Sequence, residues 1–494
     1  MPALLYDMSR HSIALLNDSF PPIIDGVANA VVNYAKHIEK SHGRALVLTP
    51  QMPGSDDSAY DFRIVRYPSI DTRGLVGYVT GYPFSPEAAN AVETEGVELL
   101  HTHCPVTSAL LARSLAEAKG LPLVMTWHTK YDIDIANAVK GRLLREGAIQ
   151  ALLANVNACD EIWTVSEGAG ENLRSLGYEG DYIVMPNGVD LPREKVSDRL
   201  VAQVTAGYDI PEGIPCFLFI GRLMWYKGLR IILDALKELD EKGFDFRMVF
   251  VGGGGDEKEV RKYSSGLGLD AKVIFTGPVR ERDRLRAWYS RAGLFLFPST
   301  FDTNGLVVRE AAASDTASVI IKGSCASEGV TDGRNGFLIE ENAASLAAKL
   351  KELIDRPETV RKVGEGAGSE LYISWADAVA NAYERYEVVI DNYKSGLYGR
   401  HDPLKGSWRQ SQGELMEILG DIETARNDLD TNLRSVRNKA IVDVISAGYE
   451  ARENIRELRN EALNDLESLL DEVSQSFWDG SGRRRKAKKS DKNE

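Results

Sequence analysis

Residues 221–228 read Gly-Arg-Leu-Met-Trp-Tyr-Lys-Gly directly after an apolar run, so Arg222 and Lys227 stand five positions apart between a strand end and a helix start. Two cations beside a helix N-terminus suit a diphosphate, because the backbone N–H groups and both side chains share its charge. Taken alone, the run reads equally well as a surface turn with solvated charges. A second run, residues 298–311, also follows an apolar segment and holds Asp302, Asn304, Gly305, Leu306 and Glu310. Carboxylates are natural acceptors for sugar or ribose hydroxyls, and a glycine there lets a backbone approach a ligand. The bland alternative is that Asp302 caps the helix and Glu310 is an internal structural acid. His101, His103 and His128 invite a zinc reading, but no matching carboxylate spacing accompanies them. The glycine run 252–255 lacks the lysine and hydroxyl residue of a P-loop and reads as a turn lining a nucleotide pocket. His11, His37, His42 and His401 read as structural.

The elements that must position these residues alternate. Residues 12–16 read as a buried strand, 17–26 as a turn-rich loop, 27–40 as a helix and 45–49 as a strand. The order repeats with strands at 99–100 and 123–126 around a helix at 107–118. A second series starts near Pro215, with strands at 216–220, 247–251, 273–275, 294–297 and 319–321 and a helix at 229–241. Such alternation predicts an α/β chain of two Rossmann-like, doubly wound domains facing a cleft, with ligands at the carboxyl ends of the strands. The expected units are residues 1–195, 196–373, a crossover helix at 374–395, a helical extension at 396–482 and a basic tail at 483–494. The extension carries apolar residues every three or four positions from Leu415 to Val473, which suits packing on the body or on a second copy of the chain, and hence a homo-oligomer.

Composition bounds the function classes. The chain has 494 residues, 27% charged and 43% apolar, with a net charge of −14. That balance excludes wholesale disorder and a collagen-like chain. No run approaches the roughly 18 apolar residues a bilayer-spanning helix needs, and no signal peptide is evident. Cys104, Cys159, Cys216 and Cys325 lie far apart, as in a reducing cytoplasm. Residues 483–494 carry seven basic and two acidic groups, which leaves −19 on the remainder. An acidic body argues against nucleic acid as a partner, while the short tail suits an anionic membrane surface, such as the inner face of the plasma membrane.

With these motifs in order, the sequence resembles the retaining glycosyltransferases of family four, which have the GT-B fold. Arg222 and Lys227 match that family's diphosphate pair, Glu310 its ribose-binding glutamate, and Asp302 the place of its first glutamate, one methylene shorter. Pro21–Val27 is similar to the glycine-bearing loop near the donor phosphate, with Asp25-Gly26 where paired glycines are common. His101-Thr102-His103-Cys104-Pro105 and Thr126-Trp127-His128-Thr129-Lys130 resemble two strand-end signatures, the second with a histidine near the donor sugar. Ser166, Glu167 and the run 186–190 match later signatures, and Trp375 stands where the chain crosses back to the first domain. The resemblance implies His128, Arg222, Lys227 and Asp302 as catalytic residues. It implies Gly26, Arg222, Lys227, Asn304, Gly305, Leu306 and Glu310 as donor-binding, and His103 and Lys130 on the acceptor side. It implies no metal and no cofactor, the nucleotide sugar being a substrate. Asp25-Gly26-Val27, 103–108 and 301–305 are worded most like bacterial diacylglycerol glucosyltransferases, which implies a membrane lipid acceptor, and glucose with a uridine nucleotide is the family's common donor. Two departures stand out: residues 314–318 replace a Gly-x-Pro turn, and Ser324-Cys325-Ala326-Ser327-Glu328 keeps the glutamate of a donor loop but loses its glycines. Two rival readings are a nucleotide-sugar epimerase and a non-catalytic GT-B scaffold.

Overall fold

The computed structural model describes residues 11–23, 25–70, 79–131, 135, 142–194 and 196–398. The expected helical extension beyond 398 and the basic tail lie outside the described residues. Seven strands form a parallel first sheet: β1 (Ser12–Leu16), β2 (Arg44–Pro50), β3 (Arg63–Tyr67), β4 (Leu99–Thr102), β5 (Leu123–Trp127), β6 (Glu161–Thr164) and β7 (Ile183–Val184). Their spatial order is β3-β2-β1-β4-β5-β6-β7. Six more strands form a second parallel sheet: β8 (Cys216–Ile220), β9 (Arg247–Val251), β10 (Val273–Gly277), β11 (Leu294–Phe297), β12 (Ala317–Ile321) and β13 (Phe337–Ile339). Their order is β10-β9-β8-β11-β12-β13. In each sheet the order reverses at the first strand, β1 or β8, and the crevice at its carboxyl end is where such sheets bind ligands. The architecture is the GT-B arrangement of two Rossmann-like domains.

The strands form where the sequence is apolar and β-branched or aromatic. β1, β5, β8 and β12 are buried at every position, as strands covered on both faces must be. Helices connect most of the strands: α1 (Gly26–Ser41), α2 (Pro86–Thr94), α3 (Thr107–Lys119), α4 (Arg142–Val156) and α5 (Glu167–Ser175) in the first domain. The second domain adds α6 (Asp198–Thr205), α7 (Leu229–Glu241), α8 (Glu257–Gly266), α9 (Arg282–Arg291), α10 (Leu306–Ala313), α11 (Ala343–Ile354) and α12 (Pro357–Glu370). α7 shows the pattern: Leu229, Ile232, Leu233, Leu236 and Leu239 fall on one stripe and are all buried. Each such side chain contributes about 1.5–3 kcal/mol by leaving water.

A last helix, α13 (Trp375–Lys394), returns from the second domain to cover the first. Trp375, Val379, Tyr383, Tyr386 and Ile390 share one core with Ile13, Tyr34 and Val47. The Tyr383 hydroxyl accepts from the backbone N–H of His11 at 2.8 Å, and Arg385 pairs with the buried Glu161 at 2.5 Å.

Registers bring loops together. Leu16 lies level with Leu48 and Thr102, and the N–H of His103 donates to the Leu16 carbonyl at 2.8 Å. The loops after β1 and β4 therefore emerge side by side. Asp18 ties them: its carboxylate accepts from Thr107 N, Thr107 Oγ1 and Ser108 N at 3.1, 2.6 and 2.7 Å. Val106, the residue before α3, supplies no side-chain cap of its own. Asp18 therefore caps α3 from a loop 89 residues away. Burial pushes the Asp18 carboxyl up while these hydrogen bonds hold it down, and burial prevails.

Candidate active site

On the second domain, β8 ends at Ile220, Gly221 follows, and the chain turns through a short 3₁₀ segment, Trp225–Lys227, before α7. Gly228 adopts φ +76°, and a side chain there would place Cβ 1.8 Å from the Pro298 carbonyl oxygen. This contact presses the 221–228 loop against the loop after β11, so the two runs singled out from the sequence meet. Lys227 Nζ lies 2.5 Å from Asp302 Oδ1, with little of either side chain exposed. Asp302 Oδ2 accepts from Ser299 Oγ at 2.7 Å. The Lys227 ammonium also sits over the rings of Tyr226 and Phe297. An ammonium has three N–H donors, so Lys227 can keep Asp302 and still donate to a phosphate. Arg222 is exposed and has no ion-pair partner among the described residues. The glycine run 252–255 braces this loop, since Leu223 N donates to Gly253 O at 2.9 Å and Gly221 N to Val251 O at 3.0 Å.

Asn304 and Gly305 lead into α10. Gly305 adopts φ +57° and lies so close to Ala326 that an added Cβ would sit 2.7 Å from the Ala326 Cα. Both amide atoms of Asn304 are buried with no hydrogen-bond partner among the described residues. A buried amide left bare is costly and rare in native proteins, so it marks a place where a ligand or water is wanted. Leu306 opens α10 and is half-buried, and Glu310 lies one turn on. Glu310 Oε2 accepts from Tyr289 Oη at 3.0 Å. Burial raises the Glu310 carboxyl above its ordinary value, against the Tyr289 hydroxyl and the Arg282 charge, which hold it down.

On the first domain, Gly26 is the first residue of α1, whose N-cap is Asp25 with Oδ1 accepting from Ala28 N at 2.7 Å. Gly26 is exposed, and a Cβ built on it would meet nothing within 4 Å, so the space above that helix start is open. The aspartate in place of a glycine thus supplies the cap. His128 stands just past β5 and is 5% exposed. Its Nε2 lies 2.9 Å from Nδ1 of His103. His103 is fully buried against His128. His101 bonds Tyr386 Oη and Thr126 Oγ1 at 2.5 and 2.7 Å. Burial drives all three imidazoles towards the neutral form, His128 to about 3. No group of three His, Cys, Asp or Glu side chains among the described residues is arranged to hold a metal ion.

The two walls touch. Thr303 Oγ1 donates to the His128 carbonyl at 3.0 Å, and Ser166 Oγ donates to the Thr303 carbonyl at 2.5 Å. Glu328, the glutamate of the altered loop, accepts from the N–H groups of Glu167 and Gly168 at 2.8 and 2.7 Å. It thereby caps α5 of the opposite domain, where negative charge suits the helix N-terminus. Lys130 lies close enough to Cys325 for its charge to act on that thiol. The other departure keeps its turn: Asp315 takes φ +52°, the left-handed region a glycine would fill, and pairs with Arg193 at 3.2 Å. Lys227, Asp302, Asn304 and Gly305 are therefore assembled at one seam with His128 across it. Gly26, Arg222 and Lys130 are not hydrogen-bonded or ion-paired to that cluster among the described residues, and Glu310 faces Tyr289. Asp18 and Tyr289 carry no local sequence signal, because their partners are distant in the chain.

Both halves of the chain match known families. Residues 24–193 match the model of Glycosyltransferase Family 4, and residues 204–369 match that of Glycosyl transferases group 1. The chain belongs to the family-four glycosyltransferases. This family-four glycosyltransferase is 21% identical over 431 residues to the alpha-monoglucosyldiacylglycerol synthase of Streptococcus pneumoniae, covering 82% of this chain and 97% of the relative. It is 23% identical to the enzyme of the same name from Acholeplasma laidlawii, covering 72% and 91%. The crystal structure of Anabaena HepE in complex with UDP superposes with a TM-score of 0.59 at 19% identity, covering 76% of this glycosyltransferase and 100% of that chain. Among the described residues no helix is long and apolar enough to cross a membrane.

Proposed function

We propose that this glycosyltransferase moves glucose from a uridine diphosphate sugar to a lipid hydroxyl of the diacylglycerol type, with retention of anomeric configuration and without a metal ion. The observation that carries the reading is the bare, buried amide of Asn304 beside the Lys227–Asp302 pair at the seam of the two domains. A hydroxyl-rich, anionic ligand supplies what those groups lack. The names of the two diacylglycerol glucosyltransferases support the acceptor class.

In this reading the leaving group is a nucleoside diphosphate, and its growing charge meets Arg222, Lys227 and the N-terminal N–H groups of α1 and α7. Asp302 and Asn304 hold sugar hydroxyls, and Glu310 grips the ribose. The acceptor oxygen attacks on the face the phosphate leaves, and a phosphate oxygen takes the acceptor's proton. Closure of the seam keeps water from the glycosyl centre. The basic tail, at roughly 1 kcal/mol per cation near anionic lipid, holds the acidic body at the membrane on its cytoplasmic side.

The test uses the full chain with labelled UDP-glucose, vesicles containing diacylglycerol, and a chelator. The expected product is an α-glucosyl lipid formed at the same rate with the chelator present. A β-linked product, or an epimerised sugar formed from donor alone, overturns the reading. Deleting 479–494 is expected to abolish vesicle binding at low salt.

A further inference from the structure

The buried histidines are not equivalent. His101 has both ring nitrogens engaged, by Tyr386 and Thr126. His103 has one engaged, by His128. Its other nitrogen, Nε2, is buried with no hydrogen-bond partner among the described residues. The two rings are stacked at 27° with centroids 5.2 Å apart, so they lie against each other as one unit.

Burial keeps both rings neutral, so each carries one N–H, and a single proton lies between His103 Nδ1 and His128 Nε2. Two arrangements satisfy that bond. In the first, His103 Nδ1–H donates, His103 Nε2 is a bare lone pair, and His128 must carry its proton on Nδ1. In the second, His128 Nε2–H donates, and the proton of His103 sits on Nε2 as a buried N–H with no acceptor. An orphaned buried N–H is rarer in native proteins than an under-used acceptor, and a donor stripped of water keeps its full desolvation cost. The first arrangement is therefore favoured. It leaves Nδ1 of His128 as the nitrogen available to a ligand.

We propose that His103 is a positioning residue: by donating from Nδ1 to Nε2 of His128, it holds His128 as the Nδ1–H tautomer, a hydrogen-bond donor and not a base. The proposal rests on the nucleotide-sugar reading of the cleft for what that N–H serves, namely an oxygen of the sugar or of the departing phosphate. It gives His128 no part in taking the acceptor's proton.

The chain has seven histidines, few enough for the full-length protein to be labelled with nitrogen-15 at histidine and each ring read by NMR. The His128 signals are assigned by their loss in His128→Gln. His128 and His103 are both expected to be protonated on Nδ1. A proton on Nε2 of His128 overturns the proposal, whatever the activity. His103→Asn keeps an N–H close to the place of Nδ1 and is expected to preserve the tautomer and most of kcat. His103→Leu is expected to mix the tautomers and lower kcat about tenfold with little change in KM. Equal kcat in the Asn and Leu variants also overturns it. Should the His128 tautomer be as stated while labelled UDP-glucose neither binds nor turns over, the nucleotide-sugar reading fails and the tautomer assignment stands.

Discussion

The two walls of the cleft are built on opposite principles. The first-domain wall presents His128 backed by His103 and His101, neutral rings buried among Tyr34, Trp163 and Tyr386. The second-domain wall presents Lys227, Asp302 and the exposed Arg222, with the Asn304 amide left bare. At these histidines one wall is uncharged and settled but for the unpaired Nε2 of His103, and the other is charged and incomplete. A site of this kind divides labour: the settled wall orients, and the incomplete wall supplies the field that a departing anion requires.

The division can be broken most forcefully at Lys227. Lys227→Ala is expected to lower the steady-state transfer rate by about 10²–10³-fold while the far-ultraviolet spectrum stays native. A rate within a few-fold of the parent would move the charged work elsewhere.

Acid tests the other wall. An imidazole whose folded value is depressed gives stability that is present above its unfolded value of 6.5 and is lost as pH falls towards the folded value, about 3 for His128. Unfolding free energies from urea titration are therefore expected to fall below pH 6.5, by roughly 1 kcal/mol per pH unit for each histidine that stays neutral. His103→Asn should flatten that slope and Lys227→Ala should leave it unchanged. Equal slopes in both variants would erase the distinction between the walls.

Glu310 behaves in the opposite sense. Its folded value is raised, so its contribution is fully present below the ordinary glutamate value and is lost as pH rises through the folded one. Glu310→Gln is expected to raise the melting temperature at pH 8, leave it unaltered at pH 4, and weaken nucleotide binding at both. The smallest effect is expected at the turn that replaced a glycine. Asp315→Gly relieves a left-handed aspartate but removes an exposed ion pair, for a net gain within about 1 kcal/mol in thermal unfolding.

Much of this was readable in the sequence wherever burial is complete. Cys216–Ile220 and Leu294–Phe297 are unbroken apolar runs and both are central strands. The edge strand Arg63–Tyr67 gives no such signal, because its two arginines break the apolar run and its middle positions are half-exposed. The apolar run predicts β12 from Val319, two residues inside its observed start, since Ala317 and Ser318 are small but buried. At the site, the loops of Lys227 and Asp302 were found separately, whereas their contact depends on Gly228 meeting Pro298. The resemblance implies an acceptor-side place for His103, and the sequence carries no sign of its bond to His128. Polar residues are assumed to face solvent until their buried partners are known, and here the partner is His128. Glu328 was singled out as a remnant of a donor loop, while its bonds to the N–H groups of Glu167 and Gly168 require a helix of the other domain.

The return of α13 to the first domain sets where force enters the molecule. Its last turns are stitched to that domain through Arg385 and Glu161, and the Tyr398 hydroxyl donates to the same glutamate at 2.6 Å. Residues that follow Tyr398 in the sequence are therefore covalently joined to a chain fixed to the wall that carries His128. An anchor placed on those residues would hold that wall still, and the charged wall would be the part free to swing.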